Sequence, residues 1–340
     1  MPPLTDTLGR QVKKLRISVT DQCNLRCSYC MPPEGLEWLP KAEILSFEEI
    51  TRLAGLFVSR GVTQIRLTGG EPLMRRHLEV LVGQLDLLRD AGLEGIGMTT
   101  NGILLEEQLP GLMAAGLDSV NISLDTVDSE AFRLITRRDH MDRVIAGIHT
   151  AVHLLPGRVK VNAVLQRALN AAGALDLVKA CLTWGAEVRF IEKMPLDAQG
   201  SWKPEDVITG AEVLDKLAPL APVPCAGPRG ASPARLYDLT AVPTPRTHEA
   251  GGRPRVGLIN SVTEPFCASC DRVRLTADGA LRNCLFFTRE TDLKTPLRSG
   301  ASNAELLALI EQEVQAKGPG HLINQKNFIP ASRSMSRVGG

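Results

Sequence analysis

The stretch Leu15-Arg-Ile-Ser-Val-Thr-Asp-Gln-Cys23-Asn-Leu-Arg-Cys27-Ser-Tyr-Cys30 decides how the rest of the chain is read. Residues 15–19 form an apolar, strand-like segment that runs directly into three cysteines spaced x3 and then x2. Three thiolates within eight residues can hold three corners of a cubane iron–sulfur cluster, because soft sulfur ligands suit that chemistry. A [4Fe–4S] cluster has four irons, so one iron would lack a protein ligand and could bind a small molecule. A fully ligated cluster mainly passes electrons, whereas an open one points to an enzyme. Structural zinc is the competing reading of the triad. It would need a fourth ligand, and the nearest histidine, His77, is far along the chain.

Outward from this stretch, further strand patterns fall at 64–68, 95–99, 119–123, 159–164 and 187–191, with helical patterns between them, for example at 46–59 and 78–91. Ser46 followed by Glu48 and Glu49 is an N-cap with acidic first-turn residues. Repeated strand–helix alternation predicts a parallel sheet with right-handed crossovers. Six such units predict an α/β fold, an incomplete (βα)6 TIM-like barrel with its chemistry at the C-terminal ends of the strands. From Leu217 the texture changes. Residues 222–254 are rich in Pro, Gly and Ala and read as a linker or irregular extension. A second cysteine triad, a helix at 303–315 and a polar, loop-like tail follow. The expected division is a barrel over 1–220, an auxiliary-cluster region closing it over 221–317, and a tail over 318–340.

Composition bounds the rest. The 340 residues suffice for a large core, and a net charge of +1 offers no global basic field for nucleic acid or anionic membrane. No apolar run is long enough to span a bilayer, and the start Met1-Pro-Pro-Leu-Thr-Asp does not read as a signal peptide. The expectation is a cytoplasmic protein, where clustered cysteines mean metal or catalysis more often than disulfides. Six of the eight cysteines fall into two triads. Cys181, in an apolar helix, reads as a buried small hydrophobe; Cys225, between prolines, has no evident partner.

Thr68-Gly69-Gly70-Glu71-Pro72 closes the second strand pattern, where glycines let a backbone approach a ligand and the Glu71 carboxylate can accept from an ammonium group. Ser123 closes the fourth strand, where a serine capping the next turn is the plain alternative. The second triad, Cys267-x2-Cys270-x13-Cys284, suits zinc as well as iron–sulfur on spacing alone. Period-2 alternation puts Lys160 and Asn162 on one face of their strand. Arg16, Arg66 and Arg189 are also strand-borne, and buried cations are costly unless they meet anions. Pairing with Glu187 or Glu192 would answer for single cases; convergence in a neutral protein fits a triphosphate. Arg75 and Arg76 read as a solvated helix start. Gly339-Gly340, taken alone, is an ordinary loose end.

The spacing Cys-x3-Cys-x2-Cys and the Gly-Gly-Glu-Pro turn resemble the radical S-adenosylmethionine (SAM) superfamily, whose open iron chelates SAM and whose cluster splits it to a 5′-deoxyadenosyl radical. Two triads together resemble the GTP 3′,8-cyclase family of molybdenum-cofactor biosynthesis. Matching segments run from Arg16 through Ile65–Pro72, Met98-Thr-Thr-Asn-Gly102 and Phe266-Cys-Ala-Ser-Cys-Asp-Arg-Val-Arg-Leu275 to Met335-Ser-Arg-Val-Gly-Gly340. The resemblance implies two [4Fe–4S] clusters, on Cys23, Cys27 and Cys30 and on Cys267, Cys270 and Cys284. It implies SAM contacts at Tyr29, Gly70, Glu71, Ser123 and Met194, and GTP contacts at Arg16, Arg66, Thr99, Lys160, Arg189, Arg272 and Arg274. It also implies that Gly339 and Gly340, with Arg272 and Arg274, serve catalysis. The implied reaction removes the C3′ hydrogen of GTP and forms the C3′–C8 bond, giving 3′,8-cyclo-7,8-dihydro-GTP. Implied partners are a flavodoxin- or ferredoxin-like reductant and, by product transfer, a cyclic pyranopterin monophosphate synthase; the family often forms dimers. Another radical SAM enzyme with an auxiliary cluster, such as a peptide maturase, would share both triads but not the strand-borne cations or the Gly-Gly end.

Overall fold

The computed structural model describes residues 2–197, 200–243, 253–323, 328 and 333–339. Its barrel strands are β1 (Lys14–Ser18), β2 (Gln64–Thr68), β3 (Gly95–Thr100), β4 (Ser119–Ser123), β5 (Val159–Val164) and β6 (Glu187–Ile191). The helices that follow them are α1 (Phe47–Val58), α2 (Leu78–Asp86), α3 (Leu105–Ala114), α4 (Ser129–Thr136), α5 (Met141–Leu154) and α6 (Ala174–Trp184). Ser46 caps α1 as expected: its Oγ accepts from the Glu49 N–H at 3.2 Å, and the Glu49 carboxylate accepts from the Ser46 N–H at 2.7 Å. The helical pattern at 78–91 is α2 continued by a 3-10 turn, Leu87–Ala91.

The sheet extends well beyond the six expected strands. After α7 (Gly210–Lys216) come β7 (Pro222–Pro224), β8 (Arg235–Leu239), β9 (Arg255–Ile259), β10 (Arg272–Leu275), β11 (Ala280–Arg282) and β12 (Thr291–Asp292). They are followed by α8 (Lys294–Arg298), α9 (Asn303–Gln315) and α10 (Met335–Val338). Strand order is β12-β11-β10-β1-β2-β3-β4-β5-β6-β9-β8-β7, an open sheet in which β10 through β9 are all parallel. The 222–254 stretch is therefore not simply a linker: β7 and β8 form an antiparallel edge beside β9. Nor is the tail all loop, since α10 lies within it.

Strand alternation divides the molecule. Leu15 and Ile17 of β1, Leu67 of β2, Ile96 and Met98 of β3 and Val161 of β5 point to the helical layer, where they are fully buried with Leu53, Phe57, Leu81, Leu85, Leu109, Ile148 and Leu177. That burial is the main stabilising term of the fold. The inward positions are different in kind. Register aligns Arg274 of β10 with Arg16 of β1, Arg66 of β2 and Gly97 of β3. It likewise aligns Thr99, Asn121 and Lys160, then Ser123, Asn162 and Arg189. A barrel packed for stability alone fills its interior with branched apolar residues; this one carries cations and amides.

Candidate active site

One cavity of about 330 Å³ opens at the C-terminal ends of the parallel strands, and all six triad cysteines line it. The first triad sits in the loop after β1. Burial and the neighbouring carboxylate of Glu71 push Cys23 up to about 11, and burial with Cys23 nearby pushes Cys30 to about 12. Such thiols give up their protons when soft metal binds, which couples loading to proton release. Ser336 of the tail counters that burial at Cys30 and lines the same cavity, so the tail forms part of the wall around this triad.

The second triad spans the 3-10 turn Cys267–Ser269, its edge at Cys270, and Cys284 after β11. His321, remote in sequence, enters the same cavity, yet both ring nitrogens are engaged. Nε2 lies 2.6 Å from the Ser261 carbonyl oxygen, and Nδ1 accepts from the Ile323 N–H at 3.4 Å. Among the described residues no three His, Cys, Asp or Glu close around a single ion. Two sets of three thiols at one cavity, with the nearby histidine committed elsewhere, fit clusters that keep an open iron better than zinc centres.

The Gly-Gly-Glu-Pro turn is built differently from the expectation. A Cβ on Gly70 would lie 2.3 Å from the Gln22 carbonyl oxygen and one on Gly69 2.7 Å from that of Thr20. These glycines admit the backbone of the cysteine loop, although both also line the cavity. The Glu71 carboxylate accepts from the Thr100 hydroxyl at 2.7 Å, the Asn101 N–H at 2.6 Å and the Leu73 N–H at 3.1 Å. Burial pushes its pKa up to about 7. It therefore clamps the turn to the end of β3, and the expected role toward an ammonium group has to compete with three donors. Tyr29, Ser123 and Met194 line the cavity. Tyr29 donates to Asp125 Oδ2 at 2.9 Å, and burial pushes Asp125 to about 6. Asp125 carried no sequence signal beyond its place after β4.

The strand-borne cations lie near one another, and Arg16, Arg189, Arg272 and Arg274 line the cavity whereas Arg66 and Lys160 do not. Burial, then Arg274, Arg66 and Arg272, hold the Arg16 guanidinium well below the usual arginine range. Burial and Arg189 push Arg66 down to about 10, and burial with Arg272 does the same to Arg274. Lys160 is likewise lowered, by burial and by Arg189. Arg189 pairs with Glu187 at 2.7 Å, the simpler alternative, while still lining the cavity. Arg66 Nη1 donates to the Met98 carbonyl at 3.0 Å. Two glycines that sequence reasoning passed over make room here. A Cβ on Gly97 would fall 2.7 Å from Arg66 Nη2, and one on Gly257 2.9 Å from Arg189 Cγ. Arg272 and Arg229 both lie over the Phe266 ring, at 4.7 and 4.8 Å from its centroid.

Several buried polar atoms of residues lining this space have no hydrogen-bond partner: Thr99 Oγ1, Asn121 Oδ1, Asn162 Oδ1, Asn283 Oδ1 and Arg272 Nη2. Orphans of this kind are rare in folded proteins and mark where a polar ligand or ordered water belongs. Gly339, at φ +75°, is wedged against β1 and β2; an added Cβ would lie 2.7 Å from Thr68 Oγ1 and 3.0 Å from Ser18 Cβ. Its carbonyl accepts from Arg274 Nη1 at 2.5 Å. Gly339 is thus no loose end. Gly340 lies outside the described residues.

Other expectations change or hold. Arg75 is not a solvated residue: it donates to the Val19 and Leu45 carbonyls and stacks on Phe47. Cys181 is fully buried, and Cys225 does have a partner, its Sγ 3.3 Å from Asp238 Oδ1. No helix among the described residues is long and apolar enough to cross a membrane.

Comparison with known proteins finds two family models along the chain. Residues 17–181 match the model of the radical SAM superfamily and 186–323 that of Molybdenum Cofactor Synthesis C. A GTP 3′,8-cyclase of Corynebacterium glutamicum (strain R) is 45% identical over 99% of this chain and 89% of its own length. The chain belongs to the GTP 3′,8-cyclase family. Another member, from Mycolicibacterium smegmatis, is 46% identical over 99% of the chain and 92% of its own length. Among solved structures, Streptococcus suis SuiB bound to precursor peptide SuiA shares the fold with a TM-score of 0.57 and 15% identity, over 97% of this chain and 77% of that one. Family membership fixes the class of cofactor: this is a radical SAM enzyme family using SAM and two [4Fe–4S] clusters.

Proposed function

We propose that this chain cyclises GTP, joining C3′ of the ribose to C8 of guanine, as the name of its relatives describes. The observation that carries the reading is that Arg16, Arg189, Arg272 and Arg274 line the cavity shared by both triads, with Arg66 and Lys160 beside them on neighbouring strands but not in the lining itself. Clustered guanidinia that depress one another's pKa gain most from a polyanion, and Arg forks match phosphate oxygens.

On this reading Cys23, Cys27 and Cys30 hold the cluster that binds SAM, with Tyr29, Gly70, Glu71, Ser123 and Met194 around it. Cys267, Cys270 and Cys284 hold the cluster that faces guanine. Arg16, Arg66, Thr99, Lys160, Arg189, Arg272 and Arg274 hold the nucleotide. The bound cofactors supply the 5′-deoxyadenosyl radical that takes the C3′ hydrogen. The chain's own contribution is positioning: fixing the triphosphate fixes the ribose relative to the first triad. Arg274 also holds the Gly339 carbonyl, which brings the tail to the nucleotide pocket. The division into 1–220, 221–317 and 318–340, a cytoplasmic site of action, a flavodoxin- or ferredoxin-like reductant, product transfer to a pyranopterin synthase and a homodimeric state belong to the same proposal.

The test is an anaerobic assay of reconstituted protein with SAM, dithionite and GTP, ATP or no nucleotide, followed by mass spectrometry. A GTP isomer with 5′-deoxyadenosine, both only with GTP, is expected. Equal 5′-deoxyadenosine in all three arms with no isomer would overturn the substrate.

A further inference from the structure

Lys317 takes no part in the site as proposed above, yet it is a buried cation at the second triad. It follows the C-terminal end of α9, is 5% exposed and lines the cavity. Its Nζ donates to the Arg272 carbonyl at 2.6 Å and lies 3.5 Å from Cys270 Sγ. No carboxylate among the described residues pairs with it. A buried ammonium without a counter-charge is costly, so the negative charge that balances it has to come from what occupies the triad.

A second cation keeps Lys317 from withdrawing. Arg10 donates through Nη1 to the Cys267 carbonyl at 2.8 Å and through Nη2 to the carbonyls of Gly318 at 2.7 Å and Lys317 at 3.3 Å. Its Nε is fixed by Asp6 at 2.6 Å, and both side chains of that pair are buried. The arm before β1 thus ties the Cys267 turn to the segment after α9, which sets the distance between Nζ and Cys270 Sγ.

We infer that Lys317 is a positioning residue whose ammonium, locked by Arg10, makes the cluster on Cys267, Cys270 and Cys284 easier to reduce. Reduction adds one negative charge to the cluster, and a cation donating toward a ligand sulfur stabilises the reduced form more than the oxidised one. Groups behind metal ligands tune them in this way. The inference rests on assigning that triad to a cluster.

The test uses full-length reconstituted protein as wild type, Lys317→Met, Lys317→Arg and Cys270→Ala. Iron is counted and midpoint potentials are read by EPR-monitored redox titration, the first cluster being recognised by its change on adding SAM. Lys317→Met is expected to keep its iron and to lower the second cluster's one-electron reduction constant at least tenfold, about 59 mV, leaving the first unmoved. Lys317→Arg should restore most of the shift. Full iron with an unchanged potential in Lys317→Met overturns the inference, as does iron loss from the second site in both Lys317 variants, which marks a merely structural lysine. If Cys270→Ala holds as much iron as wild type, the cluster assignment itself fails.

Discussion

Replacing Arg16 by methionine should make the nucleotide-free protein more stable and its nucleotide binding weaker. Arg16 sits in register between Arg66 and Arg274, and no hydrogen bond or ion pair to its guanidinium occurs among the described residues. Exchanging buried charge for apolar volume can stabilise by about 1–4 kcal/mol. The guanidinium faces a cavity that admits water, so the lower end applies: about 1 kcal/mol, or about 1.5 °C in Tm for a chain of this size. Against this, a charged hydrogen bond to phosphate contributes about 1.5–3 kcal/mol, which is about 10- to 150-fold in Kd. Thermal unfolding without nucleotide and calorimetric titration with GTP read the two effects separately. A variant that is less stable yet binds GTP as wild type would refute the reasoning, because Arg16 would then be holding the fold and not a ligand.

Gly97→Ala puts a methyl 2.7 Å from Arg66 Nη2 and 2.8 Å from Ser119 Oγ, so GTP affinity should fall at least about tenfold, as loss of one phosphate contact implies; unchanged affinity by titration would free Arg66 of that role. Gly339→Ala meets Thr68 Oγ1 at 2.7 Å with φ +75°, and should abolish cyclised product by mass spectrometry while iron content stays at the wild-type level. Asp125 has a folded pKa of about 6 against 3.8 unfolded, so its contribution is present below pH 4 and is lost as pH rises toward 6. Asp125→Asn keeps groups for Tyr29 and the Val164 N–H and should remove that loss, up to about 3 kcal/mol between pH 4 and 7, in urea unfolding of the cluster-free protein. An identical pH profile in variant and wild type would count against a neutral Asp125.

The barrel was legible because its signals are local. Residues 64–68, 119–123, 159–164 and 187–191 are strands at the positions their alternation suggests, and Ser46 with Glu49 closes a capping box that three-residue spacing alone announces. The cations were legible for a related reason: polar residues at inward positions of buried strands violate the rule the rest of the strand obeys. What stayed hidden depends on distant partners. β10 is four residues long and becomes a strand by pairing with β1, and the Pro-rich 222–254 stretch hides β7 and β8, whose edge positions tolerate proline. Gly97 and Gly257 gave a signal that could have been used, a missing side chain opposite an arginine, but only once the register is known. Arg10, Lys317 and His321 have no local pattern that marks them.

The pairing of β1 with β10 also sets an order of assembly. Lys14 meets Asp271 257 positions along the chain, and the walls of the first triad include Ser336. Contacts of such sequence separation form late, since loop closure must be met before they contribute. This topology predicts that the first triad stays a solvent-facing loop until the last strands and α10 arrive to enclose it. Cluster delivery has a window, before enclosure, in which the loop is accessible to a donor and also to oxygen. Slowing the docking of the C-terminal third should lengthen that window, so defects far from any cysteine can surface as poor iron loading.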